Sequence, residues 1–140
     1  MLARNTIHAA LVTTLDAVSG LTASPVGFDA VNIPAHGASG WFILRPEGEI
    51  YLGGGPDGTG SGMLTLQFTV ALLWSVATQP NTAIQSAMAM VGTIVAALNN
   101  EVTSATDARI NVGEPSITYP SAQFAVIEIP LSATGLMSGL

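Results

Sequence analysis

Residues 64–76 read Leu64-Thr65-Leu66-Gln67-Phe68-Thr69-Val70-Ala71-Leu72-Leu73-Trp74-Ser75-Val76. Every even position carries a large apolar side chain, and most odd positions are small or polar. A period of two belongs to a strand with one face in a core and the other half exposed. A strand of this length is long for a globular domain. It needs sheet partners beside it and a helix over its apolar face.

The flanking sequence offers both. Residues 77–81 form a turn, and Thr82-Ala83-Ile84-Gln85 has the form of a capping box. A helix is predicted from Thr82 to about Leu98, with an apolar stripe of Ile84, Met88, Val91, Val95 and Leu98 and with Ile94 beside it. Alanines and Gly92 keep its other faces slim, which suits packing on the sheet or against a neighbouring subunit. Met88 and Met90 read as core filler. Upstream, residues 41–44 and 49–52 read as two short strands around Arg45-Pro46-Glu47-Gly48, a segment with turn chemistry. This predicts a hairpin.

Between that hairpin and the long strand lies Gly53-Gly54-Gly55-Pro56-Asp57-Gly58-Thr59-Gly60-Ser61-Gly62. Its first six residues match GxGxxG. However, the fingerprint works only when a helix N-terminus follows the glycines, and here a strand follows. The segment reads as a mobile loop, with Gly53, Gly54, Gly55, Asp57, Gly58 and Gly60 as candidate partner contacts.

Residues 7–19 predict a further helix, with Ile7, Leu11, Leu15 and Val18 on one stripe, Asn5 or Thr6 at its cap and Gly20 past its end. His8, in its first turn, reads as a surface residue. Residues 21–40 are a connection broken by prolines and glycines, and they contain His36. A short strand is predicted over 108–112, and Ile117-Thr118-Tyr119 leads through Pro120 into the last element. Residues 123–131 form a closing strand with Ala125, Ile127, Ile129 and Leu131 on one face. The small-residue tail 132–140 reads as flexible or docked on a neighbour. The whole predicts a single domain, 1–140, of the α+β class: a mostly antiparallel sheet with two helices packed on one face.

Composition narrows the function. The 140 residues include no cysteine, which removes disulfides, thiolate metal sites and thiol nucleophiles. There is no lysine, and three arginines face nine carboxylates, for a net charge of −6. Ordinary nucleic-acid binding rests on cations that displace counterions, so this balance disfavours it. A surface past which nucleic acid slides is a different matter, because an acidic wall would help. Only 9 % of residues are charged, against roughly 25 % in ordinary soluble domains. The deficit reads either as a surface covered by other chains or as a compositional bias toward alanine, glycine and threonine. No membrane span is predicted: the best stretch, 83–98, is short and contains Gln85, Ser86 and Thr93. The start of the chain shows no signal-peptide pattern, which reads as a cytoplasmic protein.

Catalytic constellations are not evident. Two histidines lie 28 residues apart with no metal-ligand spacing, and there is no GxSxG elbow. Glu47 and Glu49 flank the predicted turn, where carboxylates are usually solvated. The expectation is a non-enzyme with no catalytic, cofactor or metal site. If it is instead a small-molecule module, His36, Trp41 and Tyr51 are the residues to suspect.

The element order resembles the tail terminator (tail completion) proteins of long-tailed bacteriophages. The resemblance is carried by the first helix, the extended pair ending Ile50-Tyr51-Leu52-Gly53-Gly54, the Gly/Asp loop, the long strand, the helix after it and the closing Phe124-Ala125-Val126-Ile127-Glu128-Ile129. It implies a virion protein assembled in the host cytoplasm as a ring, typically a homohexamer. Its partners would be the tail tube protein and the head–tail connector. DNA would pass through the lumen without specific binding. Six copies would carry a formal charge of about −36, which would keep phosphates off the wall. Glu47, Glu49 and Asp57 are the candidate lumen-facing acids. A head-completion, adaptor or tail tube role is the adjacent alternative.

Overall fold

The computed structural model describes residues 4–24, 39–52, 63–99 and 108–136. Eight elements follow in order: α1 (Arg4–Asp16), β1 (Thr22–Ala23), β2 (Trp41–Leu52), β3 (Met63–Ser75), α2 (Pro80–Ala97), β4 (Arg109–Val112), β5 (Ser116–Thr118) and β6 (Phe124–Leu136). The fold is α+β. One six-stranded sheet runs β1-β2-β3-β6-β4, with β5 also on β6, and only the β1–β2 pair is parallel.

The predicted long strand is β3, and it is central. β2 pairs along one edge and β6 along the other. Its even residues Leu64, Leu66, Phe68, Val70 and Leu72 join Phe42 and Leu44 of β2 and Ile127, Ile129, Leu131 and Ala133 of β6 on one face. Ile7, Leu11 and Leu15 of α1 and Ala87, Val91 and Ile94 of α2 cover that face. A helix contributes roughly one residue in every three or four to such a stripe, and these spacings supply it. Among the described residues no helix lies on the opposite face, yet Leu73 is 0 % exposed there and packs with Phe124, Trp41 and Val126.

Five local expectations give way in the structure. Arg45-Pro46-Glu47-Gly48 is not a turn, because β2 runs straight through it. The register slips between Pro46 and Gly48, so Glu47 is the extra residue of a β-bulge. Pairing along the whole of β3 outweighs the local turn chemistry, and the antiparallel pair is β2 with β3. Residues 132–136 are strand rather than tail. They lie between β3 and β4, where only small side chains such as Ala133 at 0 % exposure fit under the helices. Residues 137–140 lie outside the described residues.

The α2 helix starts at Pro80, not at the Thr82 box. Its N-cap is Gln79, in the left-handed region at φ 49°, with no side-chain cap bond. A proline in the first turn loses no helical hydrogen bond, because the first N–H groups have no intrahelical acceptor. The buried stripe is Ala87, Val91, Ile94 and Leu98, rotated from the predicted one, and this leaves Met88 39 % exposed. The α1 helix ends at Asp16, earlier than predicted, while its stripe of Ile7, Leu11 and Leu15 is buried as expected.

One close approach joins the α1–β1 connection to the start of β2. Gly40 has φ +95°, and a Cβ there would stand 2.1 Å from the Gly20 carbonyl oxygen. The Gly40 N–H donates to Leu73 O at 3.0 Å, and its own carbonyl accepts from Thr22 N–H at 2.8 Å. Backbone lies on both sides, so a side chain has no way out. Gly40→Ala is therefore expected to cost more than about 2 kcal/mol, through strain at positive φ plus the clash. Leu72→Ala, at a fully buried site, is expected to cost about 2–5 kcal/mol. Urea unfolding midpoints check both, and near-wild-type stability of Gly40→Ala would contradict the clash.

Candidate functional site

The bulge in β2 decides which side chains share a surface. Arg45 stands opposite Thr69 on the helix-free face. Past the bulge the alternation reverses. Glu49, opposite Leu66, takes the helix side, and Ile50, opposite Thr65, takes the open side, where it is 45 % exposed. Glu47 itself turns back to Arg45. Its Oε1 accepts from Arg45 Nε at 3.3 Å and lies 3.3 Å from Nη2.

Across β3 from Arg45, Glu128 of β6 pairs with the same Nη2. One guanidinium therefore links two strands that never touch and sits between two carboxylates. Arg45 is half-exposed, so solvent screens the cluster and its net worth is small. Below it the open face is mostly polar, and its last row also holds the exposed Ile50, opposite Thr65, and the exposed Arg109, opposite Thr134. The Thr65 and Thr134 hydroxyls hydrogen-bond at 2.9 Å, and Gln67, Ser132 and Asn111 lie side by side in the next row. Glu47, Gln67, Thr69, Asn111 and Pro130 line an open depression of about 450 Å³ there.

A second depression, of about 510 Å³, lies between the first turn of α1 and the bulge. It includes His8, Pro46, Glu49, Leu66 and Phe68. His8 is half-buried rather than on the surface, and its role is structural. On the outer edge of β2, the Gly40 carbonyl accepts from Thr22 N–H at 2.8 Å and the Phe42 carbonyl from Ser24 N–H at 2.9 Å. The next carbonyl in that row, Leu44 O, lies 2.9 Å from His8 Nε2, which must donate to it. The imidazole continues the ladder where β1 stops. Its ring also tilts against Phe68, with centroids 6.1 Å apart.

The third surface is the outward side of α2. Pro80–Ala97 contains no charged residue. Its exposed positions include Gln85, Ser86, Ala89, Gly92, Thr93 and Ala96.

The predicted acids are thus separated. Glu47 belongs to the open face, Glu49 to the helix side, and Asp57 lies outside the described residues. So do Gly53, Gly54, Gly55, Gly58, Gly60 and His36. Trp41 is half-buried beside Leu73 and Phe124. Among the described residues no three potential metal ligands cluster, and no helix is long and apolar enough to cross a membrane. The Arg45–Glu128 pair escaped sequence reading, although Glu128 is the only charge in its strand and so marks a position needing a partner. The chain matches no protein-family model and no curated protein.

Two outcomes follow from this geometry. His8→Phe keeps a ring on Phe68 but removes the donor to Leu44 O. It is expected to cost about 1–2 kcal/mol, read by thermal or urea unfolding. Arg45→Met is expected to cost no more than about 1 kcal/mol, a loss that shrinks as salt rises. A salt-independent loss of several kcal/mol would show the cluster to be a structural anchor instead.

Proposed function

We propose that this chain is a structural subunit that assembles with copies of itself into a closed ring. The ring caps the tail tube of a long-tailed bacteriophage, stops its growth and presents a surface to the head-side connector. The observation that carries the reading is the outward side of α2. A helix on the surface of a solitary soluble domain ordinarily carries charge on its solvent side. Here the exposed side of an eighteen-residue helix offers amides, hydroxyls, alanines, a glycine and the apolar Met88 instead. Such a surface has little hydration to lose when another chain covers it, and its small residues let a second backbone come close. The low charge of the whole chain supports the same reading, because the buried centres of subunit contacts are poor in ionic groups. The resemblance in element order supplies the particular setting. The open sheet face, where Arg45 and Arg109 are matched by Glu47 and Glu128, suits a wall past which DNA moves without adhering.

A closed ring limits assembly, whereas a tube protein polymerises without end. Tail tubes polymerised with and without this protein, imaged by electron microscopy, separate these roles. The expected result is ring-capped ends and arrested growth. Incorporation along the tube would favour the tube-protein role, and free tubes with no bound protein would overturn the reading.

Gly92 gives a variant that spares the subunit, because a Cβ there meets nothing within 4 Å. Gly92→Ala is expected to stabilise the isolated subunit by about 0.5–1 kcal/mol through helix propensity. Gly92→Arg is expected to fold equally well but to lose self-association, measured by sedimentation velocity. Unchanged association in Gly92→Arg would remove this helix face from the contact.

A further inference from the structure

We draw no further inference here: the strongest candidate, the outer edge of β4 at Ile110–Val112 beside the exposed Arg109, has nothing in the structure to show which strand or chain covers it.

Discussion

The structure depends on one constraint, the pairing of β3 along both of its edges. Its backbone lies in the middle of a sheet, so each N–H and C=O needs a strand partner. β6 runs the full length of β3, and β2 pairs with β3 from Met63 to Leu73. That demand makes strand out of two segments that local chemistry assigns elsewhere. Pro46-Glu47-Gly48 becomes a bulge because breaking β2 there would strip the β3 edge beyond Thr69. Ser132-Ala133-Thr134-Gly135 becomes strand because the other edge of β3 would otherwise be bare from Leu64 to Gln67.

The bulge also has a chemical consequence. Without the bulge, Glu47 would pair opposite Gln67 and the register would continue unshifted, with Ile50 on the helix side. With it, the carboxylate turns to Arg45, and the large apolar side chain of Ile50 moves to the open face. The two faces of the sheet therefore differ in kind. One is a continuous apolar layer under two helices. The other is apolar at the Trp41–Leu73–Phe124 end and at Ile50, and elsewhere presents hydroxyls and amides beside Arg45, Glu47, Glu128 and Arg109. On the other side of the sheet the α2 helix carries no charged residue.

Much of the fold was legible in sequence because large apolar residues carry the periodicity. The even positions of 64–76, the stripe Ile7, Leu11 and Leu15, and the alternation of 125–131 each identify an element and its buried side. The signal fails where side chains are small. Ala87 anchors α2 in the core, yet it carries less hydrophobic weight than the exposed Met88, so the sequence pattern points to a rotated stripe. Residues 132–135 are Ser-Ala-Thr-Gly and carry too little apolar bulk to show a period, although Ala133 is fully buried. The Thr82–Gln85 box was a sound local pattern, but Pro80 accepts the first turn and moves the start upstream. Site chemistry was less legible. Arg45 and Glu128 lie 83 residues apart, and only the register of three strands brings them together. His8 looks like a surface residue until the edge of β2 is seen to need one more donor.

The central claim is that a chain this poor in ionic groups is made to be enclosed by its own copies. Native mass spectrometry over a range of concentrations and ionic strengths tests it most directly. The account predicts a discrete closed species, about six times the 14.2 kDa subunit mass, with no continuing series above it. A species at the subunit mass alone under all conditions would contradict it.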